Sequence, residues 1–244
     1  MNIFCISKVE TTFWKVEIMS KKELSAVIFD MDGVIVDTFE LYYIANKKVA
    51  NSFSLPFTRE DNNRFRGIGR MEIVETLAEM AGKNLTKEEI TTIANEKNKH
   101  YQELISKLNE EYILPGMKEL ILTLKTNNIK TAIASSSTNC KTVLEKVGLI
   151  DYFDFIVDPR TVKKGKPDPE IFLKAAAGLN VDPKHCAAIE DGAAGLEAIN
   201  QTEMFSIAVG DAVKTKPADW HVDHTSDIEF STLLSKFKGE CHET

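Results

Sequence analysis

Acidic, hydroxyl-bearing and basic side chains stand in this sequence where apolar runs end. Residues 30–33 (Asp-Met-Asp-Gly) follow the apolar run 26–29, residues 135–139 (Ser-Ser-Ser-Thr-Asn) follow a second run, residues 190–191 (Glu-Asp) follow a later one, and residues 163–167 form a basic loop. Carboxylate oxygens without Cys or His beside them suit a hard cation, and Mg²⁺ is the natural choice. Hydroxyls and a lysine beside such a cation would bind a phosphoryl group.

The chemistry expected of these groups is phosphoryl transfer through a covalent intermediate. A carboxylate at Asp30 can act as the nucleophile and form an aspartyl-phosphate. Asp32 lies two residues further on and faces the same side if the chain stays extended, so it can move a proton to or from the leaving or attacking oxygen. Lys166 would neutralise charge on the transferring group, and Ser135 would donate hydrogen bonds to its oxygens.

Each of these signals has an ordinary structural explanation when it is taken alone. Acids at strand ends are often solvated turns, a serine run can cap a helix, and the Glu-Asp-Gly sequence at 190–192 can be a turn. Lys166 alone would be a surface lysine, and Cys140 a thiol packed inside a helix layer. The features occur together and in order, and this joint occurrence favours catalysis.

The elements that must position these residues alternate between strand and helix in the second half of the chain. Apolar runs predict strands at residues 26–29, 131–134, 153–157, 186–189 and 205–209, with helical patterns between the later ones. Repeated strand, helix and strand predicts a parallel sheet with helices on both faces. Ligands of such sheets bind beyond the carboxyl ends of the strands, where the candidate residues lie.

The segment after Thr38 has a different pattern, with helical periodicity and no convincing strand. Thr86 followed by Glu89 fits a capping box, in which the two side chains and two backbone amides bond reciprocally. Behind it, apolar residues at helical spacing predict one long helix that runs to about Leu108. The segment is therefore predicted to be a helical insertion.

The predicted fold class is α/β, with a Rossmann-like parallel sheet core and an inserted α-helical cap domain. We expect the core to comprise residues 22–36 and 113–244, and the cap to comprise residues 37–112. Residues 1–21 are expected to form an N-terminal extension. Met19, followed by Ser-Lys-Lys and the first strand, has the character of a natural start, so the residues before it are hypothesised to be an extension or a misplaced start.

Composition and charge limit the partners and the compartment. The chain carries 30 Lys and Arg against 37 Asp and Glu, and its net charge of -7 argues against binding to nucleic-acid phosphates. No apolar run approaches the roughly 20 residues that span a bilayer. The four cysteines lie far apart and lack zinc-site spacing, which favours a reducing, cytoplasmic compartment. We expect a cytoplasmic monomer that acts on a small molecule, without nucleic-acid or membrane partners.

Taken in order, these motifs resemble the four motifs of the haloacid dehalogenase superfamily. The resemblance extends from about Ala26 onward, and the helical insertion resembles that superfamily's cap domain. Within the superfamily, five segments are similar to a branch of sugar phosphomutases. They are Asp32-Gly33-Val34-Ile35-Val36-Asp37-Thr38, Arg66-Gly67-Ile68-Gly69-Arg70, Ala134-Ser135-Ser136-Ser137-Thr138-Asn139, Gly165-Lys166-Pro167-Asp168-Pro169 and Ile189-Glu190-Asp191.

The resemblance implies a role for each acidic candidate. Asp30 would be the phosphorylated nucleophile and Asp32 the general acid and base. Mg²⁺ would be held by Asp30, the backbone carbonyl of Asp32 and Asp191, with Glu190 in support. The resemblance thus agrees with the magnesium site expected from the residues alone.

Phosphate binding is implied at both ends of a sugar substrate. The residues implied are Gly67, Arg70, Ser135, Ser136, Ser137, Asn139 and Lys166. Ser135 and Lys166 would hold the transferring phosphate. Arg70, on the cap, would clamp the other phosphate with its bidentate fork, helped by Ser137 and Asn139. Thr38 would act at the hinge and couple cap closure to the general acid.

The branch implies interconversion of β-D-glucose 1-phosphate and D-glucose 6-phosphate through an aspartyl-phosphate enzyme and a β-glucose 1,6-bisphosphate. Two positions depart from the pattern of that branch: Tyr42 stands where it carries a histidine, and Thr138 where it carries a basic residue. The loss of a cation weakens the expected grip on the second phosphate. A capped sugar-phosphate phosphatase, which hydrolyses the aspartyl-phosphate, is therefore the alternative. A non-catalytic module on this fold would lack Asp30, Asp32 or Lys166, and none is missing.

Overall fold

A parallel β-sheet forms the centre of the protein, whose computed structural model describes residues 23–239. Its strands are β1 Ala26–Phe29, β2 Lys130–Ile133, β3 Phe155–Ile156, β4 Cys186–Glu190, β5 Phe205–Val209 and β6 Trp220–Val222. They lie in the order β3-β2-β1-β4-β5-β6. The expected extension at residues 1–21, together with Cys5, Cys241 and His242, lies outside the described residues.

The α-helices of the described residues surround this sheet or form the insertion after it begins. They are α1 Phe39–Ser52, α2 Arg59–Asn63, α3 Arg70–Met80, α4 Lys87–Ile105, α5 Met117–Thr126, α6 Cys140–Lys146, α7 Glu170–Leu179, α8 Ala193–Asn200 and α9 Phe230–Lys238. Between residues 23 and 239, none of them combines the length and the apolar character that a membrane crossing requires.

Strand β1 occupies the middle of the sheet, between β2 and β4. Its last residue, Phe29, is aligned with Ile133 on β2 and with Ile189 on β4. The residues that follow these three positions therefore emerge side by side at one edge. The amide of Asp30 donates to the carbonyl of Ile189 at 3.0 Å, which fixes the backbone there. The strand order changes direction between β1 and β4, which leaves a crevice at the carboxyl ends of these two strands. Ligands of open parallel sheets bind in such a crevice.

Helices cover both faces of the sheet, as the sequence predicts. Alternate side chains of a strand point to opposite faces, so Val27 and Phe29 join one hydrophobic cluster while Ala26 and Ile28 join the other. Helices α5, α6 and α9 complete the first cluster, and α7 and α8 complete the second. All four residues of β1 are fully buried, which explains why the strand is a continuous apolar run. The predicted α/β class is confirmed.

Helices α1 to α4 lie between β1 and β2 in sequence and pack around a hydrophobic cluster of their own. Its buried members are Tyr43, Val49, Ala50, Phe57, Ile73, Val74, Leu77, Ile90 and Ala94. The predicted capping box is confirmed: the amide of Thr86 donates to the Glu89 carboxylate at 2.7 Å, and the Thr86 hydroxyl accepts from the Glu89 amide at 3.3 Å. Helix α4 ends at Ile105, three residues before the predicted end, although Leu108 is still buried.

Strand β6 is absent from the sequence-based prediction. It has three residues at the edge of the sheet, of which Trp220 is buried and His221 is exposed. So short a segment shows neither a continuous apolar run nor a readable alternation. The other five strands agree with their predicted bounds to within two residues at each end.

Candidate active site

A buried lysine joins two of the predicted acidic residues at the carboxyl edge of the sheet. Lys166 comes from the loop before α7, and its ammonium donates to Oδ1 of Asp30 at 2.6 Å and to Oε2 of Glu190 at 2.8 Å. The side chain of Lys166 is 0% exposed. A buried ammonium is stable only where neighbouring charges compensate it, so Lys166 depends on both carboxylates, and each carboxylate depends on Lys166.

Burial and charge compete in setting the protonation of these three groups. Burial raises the pKa of Asp30 to about 7, although attraction to Lys166 opposes the shift. Burial also raises the pKa of Glu190 above its usual value, again against the pull of Lys166. Burial of Lys166 favours the neutral amine, but the charges of Asp30 and Glu190 outweigh it and raise the Lys166 pKa. Lys166 is therefore a fixed positive charge.

Two hydroxyl groups contact the carboxylate of Asp32. Thr38 donates to Oδ1 of Asp32 at 2.6 Å, and the hydroxyl of Tyr42 lies 3.4 Å from Oδ2. Desolvation and the nearby charge of Asp30 raise the pKa of Asp32 to about 7. Thr38 is the N-cap residue of α1, so Asp32 is oriented from the point where the helical insertion leaves the sheet. A carboxyl group with this pKa can donate or accept a proton near neutral pH.

Arg66 reaches the acidic centre from the helical insertion. Its Nη1 donates to Oδ2 of Asp191 in a short ion pair. Burial raises the pKa of Asp191 to about 6, and the charge of Arg66 opposes that shift. The approach requires glycine at position 33, where φ is +83° and a Cβ would overlap Asp191 and lie 2.8 Å from Nη1 of Arg66. This ion pair is not predictable from the sequence, because the two residues are 125 positions apart and no local spacing connects them.

Three carboxylates form a cluster whose chemistry fits a divalent cation. Asp30, Glu190 and Asp191 are buried, and each places one oxygen within 4.8 Å of the others. Oδ1 of Asp191 has no hydrogen-bond partner among residues 23–239. A free buried oxygen among oxygen donors suits a hard ion such as Mg²⁺ better than zinc or copper. The side chain of Asp32 is not in the cluster, which leaves its backbone carbonyl as the predicted ligand.

The serine loop, residues 135–139, is bonded both to itself and to the helical insertion. Ser135 is buried, and its Oγ accepts a hydrogen bond from the amide of Ser137 at 3.1 Å. Ser136 donates to the carbonyl of Gly67 at 3.0 Å. The Ser137 hydroxyl lies 3.1 Å from that of Tyr42. The predicted phosphate-binding serines are thus brought together with the start of the insertion.

Asn139 and Arg70, both predicted to hold the second phosphate, have protein contacts across the boundary between the insertion and the sheet. Asn139 donates through Nδ2 to Asn98 at 2.8 Å, and its Oδ1 accepts from Gln102 at 3.1 Å, so its amide is engaged by α4. Arg70 begins α3, and its Nη1 lies 3.5 Å from the hydroxyl of Thr138. A phosphate bound at this end would have to exchange contacts with these partners.

One cavity between the sheet edge and the insertion collects most of the predicted site residues. It is partly open to solvent. The predicted residues that line it are Asp30, Asp32, Thr38, Gly67, Arg70, Ser135, Ser136, Ser137 and Asn139. Lys166, Glu190 and Asp191 are not part of this lining, and they support Asp30 from the buried side.

Lys97 on α4 is a further buried lysine at the cavity, and it was not among the residues predicted from the sequence. It lines the cavity, is 5% exposed and has no carboxylate partner among residues 23–239. Burial, and then the charge of Arg70, lowers the pKa of Lys97 to about 7. A signal was present in the sequence: position 97 lies between Ala94 and Tyr101 on the apolar stripe of α4, where a lysine is out of place.

Replacing Lys97 with methionine should raise the free energy of unfolding at neutral and acidic pH. Between about pH 7 and pH 10.5 the unfolded chain holds the Lys97 proton and the folded chain does not, so wild-type stability rises with pH there. Methionine keeps the length of the side chain without its charge and removes this dependence. We expect a gain of roughly 3–5 kcal/mol near pH 6, measured by urea unfolding.

The exposed Lys99 on the same helix provides the matched control. Lys99→Met should leave the free energy of unfolding within about 0.5 kcal/mol of wild type at every pH. Parallel stability curves for Lys97→Met and wild type between pH 6 and pH 10 would contradict the buried-ammonium explanation.

Cys140, next to the serine loop, behaves as a packing residue. It is a free thiol, 3% exposed, and burial followed by repulsion from Asp32 raises its pKa well above the usual value. The thiolate is the reactive form of cysteine, so this side chain is a poor nucleophile. The structure therefore supports the packing interpretation of Cys140.

The fold and the site define a known class of protein. A family model described as haloacid dehalogenase-like hydrolase matches residues 24–201, and this chain belongs to that family. The β-phosphoglucomutase of Bacillus subtilis (strain 168) is 46% identical over 217 residues, which cover 88% of this chain and 96% of that protein. The predicted superfamily, and the similarity to its sugar-phosphomutase branch, are confirmed.

Two further similar proteins are a mutase and a phosphatase. The crystal structure of β-phosphoglucomutase from Clostridium difficile superposes with a TM-score of 0.85 at 40% identity, covering 88% of this chain and 98% of that one. The phosphorylated carbohydrates phosphatase of Thermotoga maritima is 35% identical over 177 residues, 72% of this chain and 80% of that protein. The family thus includes both a mutase and a phosphatase among similar chains.

Proposed function

We propose that this chain is a phosphomutase that interconverts β-D-glucose 1-phosphate and D-glucose 6-phosphate through an aspartyl-phosphate enzyme and a β-glucose 1,6-bisphosphate. One arrangement carries the proposal: Asp30 is bonded to the buried Lys166, while Asp32 is oriented separately by Thr38 at the same cavity. The 46% identity to a β-phosphoglucomutase supports it. In outcome the enzyme is an isomerase acting on a small sugar phosphate.

In the first half-reaction, phosphorylated Asp30 transfers its phosphoryl group to the 6-hydroxyl of β-glucose 1-phosphate. The bond from the Asp30 oxygen to phosphorus breaks, a bond from O6 to phosphorus forms, and Asp32 takes the hydroxyl proton. After the bisphosphate has turned round, Asp30 attacks the phosphorus at position 1. Asp32 returns its proton to the leaving O1, and glucose 6-phosphate is released.

The fixed groups around Asp30 stabilise the charge of the transferring phosphoryl group. Lys166 is a permanent cation at 2.6 Å from the nucleophile, and Ser135 lies at the end of the adjacent strand. Asp30, the backbone carbonyl of Asp32 and Asp191 would hold Mg²⁺, with Glu190 in support. Bound there, Mg²⁺ supplies positive charge that neutralises phosphoryl oxygens.

The second phosphate is proposed to bind at the junction of the serine loop with α3. Arg70, Ser137 and Asn139 would hold it, with the backbone near Gly67. The guanidinium of Arg70 forms no ion pair with a carboxylate among residues 23–239, so its charge is available to a phosphate. Since the aspartyl-phosphate must survive while the bisphosphate turns, this grip must also exclude water.

We propose that the chain divides into a core of residues 22–36 and 113–244 and a cap of residues 37–112. The separate hydrophobic cluster within α1 to α4 supports this division. Cys140 and Cys186 are unpaired thiols, which supports a cytoplasmic location. We also propose a monomer, since the predicted site residues come together within residues 23–239 of one chain.

Incubation with β-glucose 1-phosphate, Mg²⁺ and a trace of β-glucose 1,6-bisphosphate tests the proposed function. We expect glucose 6-phosphate to form in the amount that the 1-phosphate disappears, with little inorganic phosphate, because the phosphoryl group returns to the sugar. Coupled detection of both products measures the ratio of transfer to hydrolysis. Omission of the bisphosphate should introduce a lag, since the unphosphorylated enzyme must first be primed.

A sugar-phosphate phosphatase is the second candidate. It is favoured by Thr138, which places a hydroxyl instead of a cation beside Arg70, and by the 35% identity to a carbohydrate phosphatase. In that reaction water attacks the aspartyl-phosphate in place of the 6-hydroxyl. Release of inorganic phosphate without glucose 6-phosphate in the same assay would establish this second candidate.

A further inference from the structure

Helix α1 and its N-cap residue present a row of polar side chains to the cavity. Thr38, Tyr42 and Asn46 follow one another at intervals of four residues, and all three line the cavity. Residues at this spacing lie on one face of a helix, one turn above another. Thr38 and Tyr42 have partners in Asp32 and Ser137, as described above. Asn46 is the member of the row whose purpose the proposed chemistry does not explain.

The side chain of Asn46 is buried but only half satisfied. Asn46 is 1% exposed, and its Nδ2 donates to Oδ1 of Asn62 at 2.8 Å. Oδ1 of Asn46 has no hydrogen-bond partner among the residues that the structure describes. Exchanging oxygen and nitrogen in both amides would leave an amide donor at the same point, so an unpaired polar group stands there under either assignment.

An unpaired amide in this position is costly to the folded protein. A buried acceptor without a hydrogen-bond partner lowers the free energy of unfolding. An apolar side chain at position 46 would not have this cost. Val49 and Ala50 on the same helix are buried without polar atoms. Asn46 lines the cavity, so a group of a bound ligand can supply the missing hydrogen-bond partner.

The neighbours of Asn46 indicate what kind of ligand group that is. Asn62 fixes the Asn46 amide by their hydrogen bond, so the free atom has a defined direction. The rings of Tyr42 and Tyr101 are stacked with centroids 4.3 Å apart and form an apolar part of the same wall. The neutral amides and aromatic faces of this part of the wall suit an uncharged hydroxylated ring, whereas Arg70 and Lys97, which line the same cavity, suit a phosphate.

We propose that Asn46 is a specificity-determining residue whose free amide atom hydrogen-bonds a ring hydroxyl of the sugar substrate. This inference rests on the proposed function for the identity of the sugar and adds the residue that recognises it. A site with a buried polar group selects against an analogue that lacks the matching hydroxyl, because the protein group is then left unpaired. Asn46 thus distinguishes hydroxylated from deoxygenated rings.

The 2-deoxy, 3-deoxy and 4-deoxy analogues of β-glucose 1-phosphate test this inference on the wild-type enzyme. We expect kcat/KM for one of the three analogues to be about tenfold or more lower than for the parent sugar, because that analogue lacks the hydroxyl that Asn46 binds. In Asn46→Leu, kcat/KM for the parent sugar should fall by a similar factor, while kcat/KM for that one analogue stays unchanged. The selectivity between the two sugars would then disappear.

Asn51 is the matched control, because it lies on the same helix but is exposed and outside the cavity. Asn51→Leu should change none of the ratios. Equal losses for parent and all analogues in Asn46→Leu would indicate a structural role and overturn the inference. A wild-type enzyme that accepts all three analogues as well as the parent would overturn it without any variant.

For each sugar, both the sugar 6-phosphate and the inorganic phosphate that form are measured. These two measurements separate this inference from the proposed function. Hydrolysis alone, with the hydroxyl selectivity present and lost in Asn46→Leu, would overturn the mutase proposal and support the role of Asn46. Mutase activity without hydroxyl selectivity would do the reverse.

Discussion

Replacement of Asp30 with asparagine should abolish phosphoryl transfer, with a fall in kcat of about 10⁴-fold or more. An amide has no anionic oxygen to attack phosphorus, so the aspartyl-phosphate cannot form. Asparagine keeps the shape of the side chain, and Glu190 still compensates the charge of Lys166, so the fold should be retained with a reduced free energy of unfolding. Intact-mass measurement after incubation with acetyl phosphate and Mg²⁺ should show a phosphorylated wild type and an unmodified variant.

Asp37 provides the control for Asp30, since it is exposed and lies only seven residues further on. Asp37→Asn should retain both the covalent phosphate and the catalytic rate within a factor of about two, as for most surface substitutions. If Asp30→Asn still became phosphorylated, the nucleophile would be another residue and the proposed mechanism would be wrong.

Replacement of Lys166 with methionine should damage both catalysis and stability. The variant leaves Asp30 and Glu190 buried without their cation, and breaking a buried ion pair in this way costs about 3–5 kcal/mol of the free energy of unfolding. Loss of a fixed charge at the transferring phosphoryl group should lower kcat by about 10²–10³-fold. Urea unfolding in the presence of a chelator measures the first effect without compensation by metal.

The pH dependence of Lys166→Met distinguishes lost charge compensation from lost packing. The pKa values of Asp30 and Glu190 are raised in the folded protein already, and removal of Lys166 raises them further. The folded variant then keeps these protons to a higher pH than the folded wild type does, so its stability falls more steeply than that of the wild type as pH rises above about 7. We expect the deficit against wild type to shrink on acidification to about pH 5.

A pH-independent deficit in Lys166→Met would instead indicate that the lost contacts of the lysine stem matter more than its charge. The exposed Lys164 in the same loop serves as the control, and Lys164→Met should be as stable and as active as wild type. Both substitutions remove one lysine from the same loop. A difference between the two variants therefore measures the effect of the buried position.

The contacts between the helical insertion and the sheet edge use the residues that are proposed to bind substrate. Ser136 bonds to Gly67, Asn139 bonds to α4, and Arg66 pairs with Asp191. A phosphate or a metal ion arriving at these groups would compete with the contacts that hold the insertion against the sheet. We therefore expect ligand binding to change the contacts that hold the insertion against the sheet.

The candidate residues that could be found from the sequence share one property, which is a local context that makes them unusual. Asp30 and Asp32 follow a fully buried strand, and Ser135 follows another, so their place at the sheet edge is a consequence of strand geometry. Thr86 could be assigned to a helix start because its partner, Glu89, lies three residues away. Such signals depend on spacing within a few residues, which the sequence displays directly.

The sequence by itself determined the α/β class, the helical insertion and the acidic, serine and lysine motifs, since strand and helix periods and the chemistry of side chains are local properties. Only the tertiary structure decided that β1 lies between β2 and β4, and that Lys166 reaches Asp30 across 136 positions of chain. Arg66 at Asp191 and the half-satisfied Asn46 were decided there too. Burial and pairing between distant segments depend on how whole layers pack, and no short spacing in the chain encodes that.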